Sequence, residues 1–347
     1  MTKLLVTGAT GYIGGSILTT LLRDAHAAVA EYGVLVRNKA ALDTFQSRGV
    51  KAHLFDGLDD LATIEDVASQ YDIVVNTASA SHPESAKALI RGLSRRSRPA
   101  GSNASIVHTS GTSILGDHAE GRRLDERIFS DVDDDLYAFE AGHPEPYSQR
   151  ITDVAVVDTA AALGVRSYIV VPPTIYGKGS GWFATISQQI PHLTRLALRQ
   201  GQAVCINEGL SAWNHIHIDD VADFYSFLLA RILADDDASV GHGRREGYYF
   251  VQDGEHTWSD VSRAIGAQLH ARGLIKTPEV RSESADWFAR HLGFGTPQLI
   301  RLGFSSNARA RDDRARALGW SPRRHDFEEH YQHEIATVAA EADFSSP

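Results

Sequence analysis

The segment LLVTGATGYIGG holds the first residues whose types and spacing could do chemistry. Gly8, Gly11 and Gly14 stand in a G-x-x-G-x-x-G pattern, after a short apolar run and at the start of a helix-like stretch. A dinucleotide's pyrophosphate needs backbone N–H groups and the positive end of a helix dipole at close range. A Cβ at Gly8 or Gly11 would block that approach, so the loop reads as a phosphate cradle bordered by Thr10, Tyr12 and Ile13. The next strand runs into VLVRNKAAL, with Arg37 at its end and Lys39 two residues on. An acidic residue there would repel a 2′-phosphate, whereas arginine can hold one with a forked pair of charge-assisted hydrogen bonds. The expected cofactor is NADP(H) rather than NAD(H). Asp56, in HLFDG, is placed to contact the adenine, and Asn76 to Ala78 to line the pocket beside the cofactor.

A second group of chemically able residues lies in SAWNHIHIDD. His215 and His217 are two apart, so a strand would put both on one face. With Asp219 they form a metal-ligand set by type, but the reading preferred here is packing, with no metal.

The elements that must position these residues alternate through the first half of the chain. Short apolar runs fall at Leu4–Val6, Val34–Val36, Ile73–Val75, Ile106–Val107 and Tyr168–Val171, with helix-spaced segments such as Ile17–Leu22 and Lys39–Arg48 between. Strands too apolar to alternate, separated by helices, predict a parallel sheet covered on both faces, a doubly wound α/β domain. It spans 1–176, with 214–235 returning to it; 177–213 and 248–347 form a smaller, mostly helical substrate lobe. The polar run LADDDASVGHGRREG reads as a surface loop.

Bulk properties narrow the partners. A chain of 347 residues with 43% hydrophobic side chains can bury a large core. The net charge of −10, with no long basic run, argues against nucleic acid. The lone Cys205 permits no intrachain disulfide, and no apolar window approaches the roughly 18 residues of a membrane span. The expectation is a soluble cytosolic protein acting on a small molecule, away from membranes, with a homodimer as an open assembly.

Several motifs together resemble the extended short-chain dehydrogenase/reductase superfamily of epimerases and dehydratases, nearly end to end. They are TGATGYIG, VHTSGTS at the fifth strand, VVPPTIYG at the sixth-strand exit, HIHIDDVAD, and RARALGWSP near the end. The resemblance implies a Rossmann fold, with Pro173 beside the cofactor. It also implies a catalytic hydroxyl from the fifth-strand motif and a tyrosine that passes a proton to or from a substrate oxygen. That tyrosine is Tyr147 in PEPYSQRITD, and the hydroxyl comes from Ser110 or Thr112, Gly111 falling at or beside the expected slot. A lysine should follow the tyrosine by four residues, but Ile151 stands there. An unassisted phenol titrates near pH 10 and is a poor base at neutrality. Arg150 is rotated about 100° from the lysine's position on the helix, so its role as substitute is weak.

Tyr176, Trp182, Phe183 and Trp213 cluster where the resemblance places the substrate cleft, which suggests an apolar or aromatic substrate. The function expected is an NADP(H)-dependent oxidoreductase acting on a carbonyl or conjugated double bond. Two alternatives stand beside it: a redox-neutral isomerase or cyclase with an idle cofactor, and a dinucleotide-sensing protein without turnover.

Overall fold

The computed structural model describes residues 2–96, 104–234 and 240–343. Seven strands form its main sheet: β1 (Thr2–Thr7), β2 (Val29–Val36), β3 (Lys51–Leu54), β4 (Ile73–Asn76), β5 (Ser105–Thr109), β6 (Arg166–Val171) and β7 (Tyr248–Phe250). Their order is β3-β2-β1-β4-β5-β6-β7, and every pair is parallel. The doubly wound Rossmann sheet expected from the apolar runs is present. Side chains alternate across it, as the period of a strand requires. Leu4 and Val6 face the helices Tyr12–Asp24 and Ile218–Leu233, while Leu5 faces Leu61–Ala68, Pro83–Arg95 and Ser148–Ala162.

One boundary differs from the sequence reading. Tyr248–Phe250, placed there in the substrate lobe, is the seventh strand and pairs with β6. Three residues are too short for a periodic signal, so only the pairing reveals the strand. Of the expected surface loop, residues 235–239 lie outside the described part, and Gly243–Glu246 forms a short helix.

The second lobe is tied to the glycine loop by chain that leaves β6. Tyr12 Oη donates to the Gly177 carbonyl at 2.6 Å, Ser180 N–H to Ser16 Oγ at 3.2 Å, and Ala184 N–H to the Thr10 carbonyl at 3.3 Å. Glu334, on the last helix, clasps both ends of this segment by accepting from Gly177 N–H and Ser187 Oγ, each at 2.9 Å. Burial pushes its carboxyl up to about 7. Such a group binds more protons in the folded than in the unfolded chain between its ordinary value and about 7, so stability should fall as pH rises through that window. Buried Asp131, also pushed up to about 7, acts with the same sign. Glu334→Gln should therefore flatten part of the fall in unfolding free energy between about pH 5 and 8, read by denaturant titration. An unchanged slope would mean that the carboxyl ionises as readily inside the protein as outside.

Candidate active site

The glycine loop turns where β1 ends, and each glycine answers a different demand. Gly8 has φ +71°, and a Cβ on it would lie 2.7 Å from the Thr77 carbonyl group. A Cβ on Gly14 would lie 2.2 Å from Thr77 Oγ1 and 2.5 Å from the Gly8 oxygen. These two let the loop press against the end of β4. Gly11 is the N-cap, and no side chain caps the helix Tyr12–Asp24. The first-turn N–H groups of Tyr12, Ile13 and Gly14 therefore lack intrahelical partners and face outward, a ready anion site.

A hollow of about 230 Å³ continues from this loop past Gly8, Thr10 and Gly11 to Arg37, Phe55 and Ala78. Arg37 is exposed, and no acidic side chain among the described residues pairs with it. Open N–H groups and missing Cβ atoms suit a dinucleotide's pyrophosphate. Three expected contacts fall elsewhere. Lys39 pairs with Asp43 along its own helix at 3.0 Å. Asp56 is exposed, its N–H bonded to Asp60, while Phe55 and Leu58 flank the hollow in its place. The Asn76 side chain turns into the sheet, accepting from Thr7 Oγ1 at 2.7 Å and meeting His108 Nδ1 at 2.9 Å.

A second cavity, of about 200 Å³, opens on the other side of Tyr12 and Ile13. Ser110, Gly111, Thr112 and Ser113 form one wall, with Pro172 and Pro173. The rest of the lining is mostly apolar, Ile175, Trp213, Phe294, Leu299 and Phe304, with the amides of Gln188 and Gln189 among them. Of the four expected substrate aromatics, only Trp213 is here, its Nε1 donating to the Ser306 carbonyl at 3.0 Å. Trp182 and Phe183 instead pack on Phe45, with centroids 5.4 and 5.3 Å away. Tyr176 is fully buried between His217 and Phe327. Phe294, Leu299 and Phe304 escaped sequence reasoning because helix-spaced apolar residues near the chain end look like ordinary core.

The hydroxyls divide unexpectedly. Beyond β5 the backbone stays extended through Gly111 and then enters a 3₁₀ turn, Thr112–Leu115. That turn aims Ser113, not Ser110 or Thr112, at Tyr147: Ser113 Oγ lies 3.0 Å from Tyr147 Oη. Ser110 donates instead to the buried Asp153 carboxylate. Thr112 Oγ1 is buried with no hydrogen-bond partner among the described residues. Behind Ser110, Asp153 Oδ1 lies 3.3 Å from His108 Nε2, off the line of a hydrogen bond. Burial, then the charge of Asp153, holds the neighbouring Glu140 carboxyl well above the usual carboxylate range.

Tyr147 is the N-cap of Ser148–Ala162 and is almost fully buried, so its phenol meets the cavity through Ser113. Burial raises its pKa, outweighing the Ser113 hydrogen bond and the nearby Arg150 charge, which pull it down. Arg150 lies 5.6 Å from the Tyr147 ring centroid, but its guanidinium is committed elsewhere. It donates to the Ile114 carbonyl at 2.7 Å and meets His143 Nδ1 at 2.9 Å. It staples the 3₁₀ turn rather than replacing a lysine. Ile151 is half exposed on the same helix.

The two histidines of the second lobe pack as expected. His215 stacks on Phe327 at 3.9 Å, and His217 Nδ1 accepts from Asp219 N–H. Burial lowers their pKa values to about 4 and about 3, so both stay neutral near pH 7.

A parallel sheet with an uncapped glycine-rich helix at one strand end, and a tyrosine and a serine across the cleft, defines a class. The chain belongs to the NAD dependent epimerase/dehydratase family, whose model matches residues 4–241. It is 34% identical to the oxidase ucsJ of an Acremonium species over 92% of each chain. Among solved structures it is similar to the dTDP-glucose 4,6-dehydratase of Streptomyces venezuelae, with TM-score 0.65 and 19% identity, covering 99% of this chain and 98% of that one. It is also similar to the UDP-glucose 4-epimerase of Thermotoga maritima, with TM-score 0.61 and 14% identity, covering 98% and 99%. At those identities the likeness is one of fold.

The glycines differ in what a substitution would do. A Cβ on Gly11 meets only the Gly8 oxygen, at 3.1 Å, and its φ is an ordinary −84°. Gly11→Val should fold, by circular dichroism, yet lose dinucleotide binding in calorimetric titration, because its side chain covers the free N–H groups. Undiminished binding would mean that the phosphates sit elsewhere.

Proposed function

We propose that the protein is an NADP(H)-dependent oxidoreductase that reduces a carbonyl or conjugated double bond of an apolar small molecule. The observation that supports this reading is that two cavities border consecutive residues of one loop, the first at Gly8, Thr10 and Gly11 and the second at Tyr12 and Ile13. The first holds the phosphate cradle and Arg37; the second is lined by hydroxyls together with aliphatic and aromatic side chains. The oxidase in the relative's name supports redox chemistry. The Streptomyces enzyme is described with NAD bound; for this chain the unpaired Arg37 supports the phosphorylated cofactor.

A reduced nicotinamide, when bound, supplies a hydride. The chain's own groups do the rest. The N–H groups after Gly11 would hold the pyrophosphate, Arg37 the 2′-phosphate, and Tyr12, Ile13 and Pro173 the border between cofactor and substrate. Ser113 faces the cleft and would hydrogen-bond the substrate oxygen. As that oxygen gains negative charge it takes the Ser113 proton, and Ser113 is refilled by Tyr147 across 3.0 Å. A buried phenol with a raised pKa keeps its proton at neutral pH, so the protonated form that a reduction needs is the one present. Reduction is the favoured direction. The lining, mostly apolar apart from the hydroxyls and the amides of Gln188 and Gln189, would bury a hydrophobic substrate and offers no cation to a phosphate.

NADPH should bind more tightly than NADH by about 1–3 kcal/mol, and Arg37→Ala should erase the difference. Fluorescence titration with each cofactor measures both; equal affinities in the unaltered protein would remove the NADP(H) assignment. Tyr147→Phe should lower reductive turnover by about 10²–10⁴-fold with NADPH affinity hardly changed. Ser113→Ala should cost a similar factor, since the proton passes through it. If Tyr147→Phe turns over like the unaltered enzyme in steady-state assays, the tyrosine only packs.

A further inference from the structure

Gln149 lies two residues beyond Tyr147 and is almost fully buried. Its carboxamide joins the two separate hydroxyl groups of the cleft. At one end Nε2 donates to the Gly111 carbonyl at 2.9 Å and to Ser110 Oγ at 3.1 Å. At the other, Oε1 lies 2.9 Å from Ser113 Oγ and 3.2 Å from Tyr147 Oη. The surroundings fix this orientation. A backbone carbonyl can only accept, and Ser110 has given its one proton to Asp153, so the amide nitrogen must face that side. The amide oxygen is then left to Tyr147 and Ser113. It is an acceptor only, so either hydroxyl that ionised would lose a hydrogen bond to it and face its negative end.

Gly111 belongs to the same arrangement. It falls at or beside the slot where the resemblance sets a catalytic hydroxyl residue, and a Cβ there would lie 3.1 Å from Gln149 Nε2. A contact that tight would require the carboxamide to give way.

We propose that Gln149 is a positioning residue whose amide oxygen keeps Tyr147 and Ser113 in their protonated forms beside the cleft, and that position 111 is glycine because the carboxamide needs its space. This rests on the reading of those two hydroxyls as the proton donors. The two departures from the family pattern are then a single change. A lysine beside the tyrosine would favour the phenolate, whereas an amide oxygen favours the phenol and commits the site to giving protons.

The test follows Tyr147 in the free protein, without substrate or turnover. Fluorotyrosine ionises at lower pH than tyrosine; incorporated throughout, it lets fluorine NMR follow the titration, with Tyr147 assigned by the signal that Tyr147→Phe removes. Gln149→Met, which removes the acceptor, should move the Tyr147 titration down by about one pH unit. Gln149→Glu, which puts a carboxylate there, should move it up by about as much. Gly111→Ala should move it in the same direction as Gln149→Met. Circular dichroism checks that each variant folds. A mere packing role would shift both Gln149 variants the same way or not at all, and either result overturns the proposal. An unmoved titration in Gly111→Ala overturns its glycine half. Opposite shifts combined with full turnover in Tyr147→Phe would leave Gln149's effect standing and remove the catalytic reading instead.

Discussion

The structure depends first on one close approach of backbone to backbone, where the Gly8 turn presses against Thr77 at the end of β4. Strand order reverses between β1 and β4, so the loops after these strands diverge and leave a crevice at their carboxyl ends. A side chain at Gly8 or Gly14 would prop the loop away from Thr77. With the approach in place, the head of the helix Tyr12–Asp24 points its free N–H groups into the crevice. The segment from Gly177 to Ala184 then packs on the same helix, so the second lobe takes its position from the phosphate cradle.

Proton chemistry in the cleft is a contest between burial and charge. Phenol beside a guanidinium would ordinarily ionise more easily, but Arg150 spends its donors on the Ile114 carbonyl and His143, and reaches Tyr147 only at ring distance. Desolvation of a nearly fully buried phenolate is the larger effect. The same buried region holds Asp153, Glu140 and His108, which would be costly unless their polar atoms shared protons. Ser110 and Tyr248, donating to Asp153 and Glu140, meet part of that need. Ser110 is thereby drawn into the support of the site, and Ser113 is left as the hydroxyl that both faces the cleft and touches Tyr147.

What could be read from the sequence followed from local rules. The glycine spacing, the apolar strands and the helix after Tyr147 each rest on a few adjacent residues, and the structure has all three. What could not be read depended on turns and on distant packing. Choosing Ser113 over Ser110 or Thr112 requires the 3₁₀ turn, which has no periodic signature over four residues. Trp182 and Phe183 looked like cleft residues, yet the chain after Gly177 carries them to Phe45, near the first helix. Asn76 sits in the expected strand, but its side chain follows a buried partner, His108. For Trp182, Phe183 and Asn76 the direction of the side chain is set by a neighbour far away in sequence.

The apolar wall completes the argument for how so modest an acid could work. A serine backed by a buried phenol is weak in water, where the solvent competes for every hydrogen bond. Trp213, Phe294, Leu299 and Phe304 line the same cavity as that serine and offer water few partners. An apolar substrate lying against them would expel the water that remains. The developing charge on its oxygen would then find Ser113 as its donor in a medium of low dielectric, where one hydrogen bond is worth more than in water. On the proposed function the hydrophobic contact and the proton relay would be coupled: the substrate that fits the apolar lining would also be the one that makes the relay effective.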